Sequence, residues 1–334
     1  MSEGVRGGLP LVAALLIGAG IASSDSQGAV FTVAPVIEPR VIRTSGEPLG
    51  VAIDGQRGRA YVADLREDTL FVFDLASGDA LGYVSTGHQP SQVVHSARLA
   101  FVSNFGDATV TVVDLETARV TKRISAGGLG LAIDAKRNRV YAAAGTRIDV
   151  LDGANGAQLG TMAAPAGANV WGLAVDPEAN HVYATDIANP RILVYDAESS
   201  KPLGEIAIDA PARFGIAVGS AGRLYVASYT DHDPLLSVFD GPSGRLIGRV
   251  RTNAFTRSIT VDPTRGLVYT AGGPDGAVTA IDAEVRGAPS KVTVDGTAGA
   301  VAINPATSEL LVVTTGGAAP PARRPATTPT VTRP

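Results

Sequence analysis

Short apolar runs alternate with polar turns along almost the whole chain. The phrase "VAIDGQRGRAYVAD" (51–64) returns as "LAIDAKRNRVYAAA", "LAVDPEANHVYATD" and "ITVDPTRGLVYTAG". Each time an apolar run closes on a polar residue, a polar turn follows, and an aromatic leads a second run. The closing positions are Asp54, Ser96, Asp134, Asp176, Gly219, Asp262 and Asn304. The leading positions are Tyr61, Phe101, Tyr141, Tyr183, Tyr225, Tyr269 and Leu311. Both series recur about every 42 residues. A third run ends in Asp74, Asp114, Asp152, Asp196, Asp240 and Asp282, and a fourth short run follows each. Runs this short, rich in Val, Ile, Tyr and Thr and bounded by Gly, Asp, Asn and Pro, are strands. No amphipathic stretch of helical length interrupts them.

Four strands per unit at this period mark a β-propeller blade. Seven units fill residues 29–317, so the expected fold is all-β: one seven-bladed propeller with four-stranded antiparallel blades. Within the first strand, large and small side chains alternate, as in Val51 and Ile53 against Gly50 and Ala52. Opposite faces of a strand carry alternate residues, so a large face can close on the small face of the next blade. The third-run Asp sits before a tight turn, as in "DLASG" and "DGPSG", where a carboxylate accepts backbone N–H bonds. Its recurrence is turn chemistry, not catalysis. The last unit supplies only "GAVAIN" and "ELLVVTT". The N-terminal "AVFTVAP" and "RVIRTSG", the latter similar to the fourth strand "GYVSTG", are expected to complete it and close the ring. Closure removes free strand edges.

The repeats "YVAD", "FVSN", "YATD" and "YVAS", each after a "VAID"-like run, resemble the YVTN-repeat (YncE-like) β-propeller family. "EPLGVAIDGQRGRAYVAD" and "QPSQVVHSARLAFVSN" keep that repeat's leading Pro as well. The resemblance implies an exported or periplasmic protein, in a group mostly without a demonstrated reaction. It speaks to fold, because the motif consists of strand and turn residues, and fold does not fix function.

The ends change the picture. "MSEGVRGG" precedes the apolar "LPLVAALLIGAGIA" (9–22) and the small, polar "SSDSQGA". This is the order of a secretory signal peptide, expected over 1–24. The run is shorter than the roughly 20 residues a bilayer requires, so no stable span should remain after cleavage. An uncleaved anchor and an apolar leader without structure are the alternatives. Residues 318–334 are rich in Pro, Thr and Arg and cannot bury apolar surface, so a disordered tail is expected there. The absence of cysteine excludes disulfides, thiolate metal sites and haem attachment through CxxCH. A net charge of −4 and a single Trp disfavour nucleic acid, which wants a basic groove and stacking platforms.

Propellers bind at the mouth of the central channel. The loops there carry Glu47, His88, Gln89, Asn169, Arg213, Asn253 and Arg257 before the first strands. They carry Asp64, Arg66, Asn104, Asp186, Asp231, His232 and Asp233 after the second. Leu49, Leu129, Trp171, Phe214 and Arg257 share one position. Trp171 and Phe214 are expected to pack between blades, and Arg257, which breaks the apolar column, to meet a neighbouring loop in a salt bridge. His95 and His181 read as structural. "YTDHDP" offers imidazole and carboxylate, yet three consecutive loop residues seldom converge on one ion. No HExxH, GxSxG or Walker motif occurs.

The reading adopted is an exported, monomeric, non-enzymatic binder of a small ligand or protein partner, without a resident cofactor. Its expected contacts are His88, Asn169, Asp186, Arg213 and Arg257. The alternative is a metal-dependent lactonase or lyase similar to the gluconolactonase-like propellers. These hold one divalent cation with a Glu, two Asn and an Asp. Glu47, Asn104, Asn169 and Asp186 supply those types, although such enzymes usually have six blades.

Overall fold

A computed structural model of the chain describes residues 38–316, apart from 213–214, 231–232, 253–255 and 274. Seven sheets stand in a ring, and the described residues hold no helix beyond the 3-10 turn Ser220–Gly222. Six blades have four antiparallel strands in chain order. Blade one runs Pro48–Asp54, Arg59–Asp64, Thr69–Asp74 and Ala80–Ser85. Successive first strands contact one another around the axis, and that of blade seven contacts that of blade one.

The large-against-small rule holds at those contacts. A Cβ on Gly50 would lie 2.7 Å from the Cα of Gln92, in the next blade. A Cβ on Gly299 would collide with the Pro48 carbonyl, where blade seven meets blade one. Both glycines are therefore required by close approach of the backbone. The second strand supplies the core. Tyr61, Phe101, Tyr141, Tyr183, Tyr225 and Tyr269 are all buried. Tyr141 and Tyr225 also donate their hydroxyls to the next blade, to the carbonyls of Ala197 (3.3 Å) and Ala283 (3.1 Å).

Blade seven differs. Its strands Ala298–Ile303 and Leu310–Thr315 are joined by the N-terminal strand Arg40–Thr44, so the N-terminus closes the ring as expected. That strand runs parallel to Leu310–Thr315, with Ile42 opposite Val313. It has the direction of a fourth strand but lies in the third place. Burial explains the position: Ile42, 1% exposed, sits in one cluster with Phe73 and Leu75 of blade one and Leu311 and Val313 of blade seven. The segment "AVFTVAP", the leader and the tail lie outside the described residues.

At the face away from the mouth, the turns carry the expected chemistry. Asp74, Asp114, Asp152 and Asp196 each accept two backbone N–H bonds from the turn that follows. The first strand ends in a second clamp in three blades. Asp54, Asp134 and Asp262, all buried, pair with the arginine three residues on, at 2.7, 2.8 and 3.0 Å.

Candidate functional site

The first strands do not enter their blades straight. Registers shift between Pro48 and Gly50, Pro90 and Gln92, and Val170 and Leu173. Each shift is a bulge, which leaves a residue out of the ladder and re-aims its side chain. The residues so released include Leu49, Ser91 and Trp171, and all three line the mouth. Leu129 and Arg257 reach the same place just ahead of their strands. Their backbone N–H groups donate to the Ala143 and Ala271 carbonyls.

A second device holds the mouth loops. The last residue of the second strand bonds back to the loop before the first. Glu47 N–H donates to Asp64 (2.9 Å), Gly87 N–H to Asn104 (3.2 Å) and Asn169 N–H to Asp186 (2.9 Å). The following residue then donates to the same loop: Leu65 to the Glu47 carbonyl, Phe105 to Gln89 and Ile187 to Asn169. In blade three, where the strand ends in Ala, Asp149 takes over and accepts from Gly127 N–H at 3.2 Å. These clamps bring Leu65 and Phe105 to the mouth.

The result is a cavity of about 220 Å³ lined by Leu49, Leu65, Phe105, Leu129, Trp171, Ser91, Gln92, Glu47 and Arg257 with Gly130 and Gly172. Its wall is mostly apolar. Phe105, 45% exposed, meets Trp171 with ring centroids 5.7 Å apart and planes tilted by 56°. Trp171 lines the mouth, and its ring there meets a ring that belongs to blade two. Charge collects on one side. Arg257 Nη1 pairs with Glu47 Oε1 at 3.0 Å, and Arg66 Nε with Glu47 Oε2 at 3.3 Å. The neighbouring-loop salt bridge expected of Arg257 is therefore present. Below lies the channel, a second cavity of about 220 Å³ bounded by first strands from all seven blades. Leu49, Gln92 and Arg257 line both and form the neck between them.

Of the five expected ligand contacts, His88, Asn169, Asp186 and Arg257 lie among the described residues, and they are not gathered in one place. Arg257 lines the cavity. Asp186 is fully buried, and both its oxygens are occupied, by Asn169 and Ala188 N–H groups and by Asn189 and Arg191 side chains. Burial would raise its carboxyl, but those bonds outweigh burial and hold it below the ordinary range. Asn169 belongs to the same clamp. His88 stands on the rim, its Nδ1 3.0 Å from Asp68, and lines neither cavity. Arg213 lies outside the described residues, with Phe214, Asp231, His232 and Asn253.

The four lactonase-type positions are likewise divided. Glu47 is at the mouth and engaged by two arginines. Asn104 is buried, with its amide on Thr109 and Thr111. Asn169 and Asp186 serve their clamp. Among the described residues, no group of three or more His, Asp or Glu side chains is placed to hold a metal ion. His95 is structural: its two ring nitrogens lie 3.0 Å from the carbonyls of Ser96 and Ile53, the latter in blade one. His181 sits beside the Tyr183 hydroxyl at 3.1 Å.

No protein-family model matches the chain, and no curated protein matches it. Among solved structures it is similar to a chain of Kuenenia stuttgartiensis hydrazine synthase, with a TM-score of 0.67 and 13% identity. The match covers 86% of this chain and 100% of that one. At that identity the likeness is one of fold.

Proposed function

We propose that this chain is an exported binding propeller of the YVTN-repeat type, which holds a small ligand at the mouth of its channel without reacting with it. The observation that carries the reading is the mouth cavity. It is concave and mostly apolar, has a few oriented polar groups on one side, and keeps two aromatic rings partly open to solvent. That is the usual composition of a small-molecule site. Export rests on the apolar run 9–22 and the small residues after it.

Trp171 is the only tryptophan of the chain, so its emission reports on the mouth alone. The test is a small-molecule screen by thermal shift, with each hit then titrated while Trp171 emission is followed. Ligands that stabilise the protein should shift or quench that emission, and Leu129→Arg, which fills the cavity with a charged side chain, should abolish both effects. Hits that stabilise without touching Trp171 emission would place the site elsewhere. For export, N-terminal sequencing of secreted material should find a start between Ser23 and Val30. An intact Met1 on cytosolic protein would contradict it.

A further inference from the structure

A second cavity opens between blades one and two and shares no residue with the mouth. We propose that this crevice binds a small neutral aliphatic carbonyl compound, with its body among the aliphatic side chains of the seam and its oxygen on the Tyr61 hydroxyl.

The seam departs from its counterparts. Tyr141 and Tyr225 each donate a hydroxyl to the first carbonyl after the next blade's third strand, those of Ala197 and Ala283. Tyr61 holds the same place in blade one, and the matching carbonyl in blade two is that of Leu115. That carbonyl accepts Arg59 Nη1 instead, at 3.4 Å. The buried Tyr61 hydroxyl has no hydrogen-bond partner among the described residues. Side-chain size accounts for the difference. Leu115 stands where the other two seams have alanine. It packs with Tyr61, Val72 and Val113, which holds its turn away from the hydroxyl.

The lining gives the character of the ligand. Leu70, Val72, Val84, Val113 and Leu115 form the apolar part, and Leu81, 43% exposed, joins them. About 240 Å³ exceeds the ~150 Å³ that accommodates benzene, so a body of about six carbons fits. The charges cancel. Arg59 and Glu116 both line the crevice, and Asp114 is paired with Arg98 at 2.9 Å. The Asp54 and Arg57 pair, which acts on Tyr61, is balanced too. A charged ligand would give up its hydration for no net attraction, and a neutral one would not.

The hydroxyl sets the polar requirement. Burial pushes its pKa up, and the Arg59 guanidinium beside it offsets part of that rise. A guanidinium brings only donors, so the Tyr61 oxygen faces a donor and its own proton remains to be given. A carbonyl oxygen accepts that proton and removes the standing cost of a buried unbonded group. Arg59 holds the backbone by one long bond, so its arm yields as the carbonyl enters.

Methyl NMR of leucine- and valine-labelled protein tests the site. The probe is 4-methylpentanamide, with 4-methylpentanoate and 3-methylbutylamine as its charged counterparts. The amide should shift the methyls of Leu70, Val72, Val84, Val113 and Leu115 saturably. Those of Leu49, Leu65 and Leu129 at the mouth should stay in place. The charged probes should bind about tenfold more weakly. Tyr61→Phe should weaken the amide about threefold to tenfold. It should not lower the melting temperature, because the lost hydroxyl had no partner. Tyr141→Phe, which breaks a bond between blades, should lower the melting temperature and leave amide binding unchanged. Crevice methyls that do not move, or shifts confined to the mouth, would overturn the proposal. So would amide binding indifferent to Tyr61→Phe, or an acid or amine that binds as tightly as the amide.

Discussion

The two ends of the channel are built from the same seven repeats and have come to opposite compositions. At the far face, the position that closes the first strand is Asp in four blades. Three of those aspartates take the same arginine clamp, and the turns after the third strands repeat the same carboxylate cap. At the mouth, one position before or within the first strand is filled by Leu49, Ser91, Leu129, Trp171 and Arg257. Packing asks every blade for the same group, so structural residues recur. A ligand asks each blade for a different one. Recurrence marks what holds the ring, and departure from it marks what the ring presents.

The sharpest break would come at closure. Deleting the chain through Thr44 removes the strand on Leu310–Thr315 and uncovers an apolar edge. We expect aggregation or loss of cooperative unfolding, measured by light scattering and thermal melting. The milder Ile42→Ala should cost about 2–5 kcal/mol in denaturant unfolding, because it empties a buried position. A deletion that melts like the full chain would show that closure does not depend on this strand.

Next in size is the far-face clamp. Asp134 is fully buried, accepts the Arg137 backbone N–H at 3.1 Å and pairs with its guanidinium. Asp134→Ala should cost about 2–3 kcal/mol, since it strands a cation and an N–H together. Ligand binding by the folded fraction should be unchanged.

A smaller effect separates the faces by pH. Thr117 N–H and the Arg98 guanidinium hold the Asp114 carboxyl down, from 3.8 to about 2. A group depressed in the folded state stabilises it fully above the unfolded-chain value of about 4. The contribution is lost as pH falls through about 2. The Tm gap between the protein and Asp114→Asn should therefore narrow from pH 5 towards pH 2. A gap that widens on acidification would contradict the assignment. The smallest stability change should be at the mouth. Arg257→Ala removes a half-exposed ion pair worth ~0–1 kcal/mol, so its thermal melting should barely move.

Period, strand count and ring closure were legible because they rest on local signals repeated seven times. The salt bridge of Arg257 was legible as a break in an apolar column. Other features were hidden because they depend on contacts between distant segments. The parallel placement of Arg40–Thr44 follows from where Ile42 finds an apolar slot between two blades. Asn104 and Asp186 have the residue types of ligands, and only their hydrogen bonds reveal them as loop clamps. The apolar column announced Trp171 as a packing residue and gave no sign that it also lines the mouth. Its partner Phe105 drew no notice, since "FVSNFGD" gives no sign that the second Phe crosses to another blade's mouth residue. The bulges that aim Leu49, Ser91 and Trp171 leave little trace beyond a Pro two positions before Gly50 and Gln92.

Amide hydrogen exchange, followed peptide by peptide with and without a saturating hit from the thermal-shift screen, tests most directly the claim that the mouth presents and the far face holds. Binding should slow exchange in the peptides around Glu47–Leu49, Ser91–Gln92, Phe105, Leu129–Gly130 and Trp171. The far-face turns around Arg57, Arg137 and Arg265 should exchange as before. Protection centred on those far-face turns, with the mouth peptides unaffected, would contradict the account.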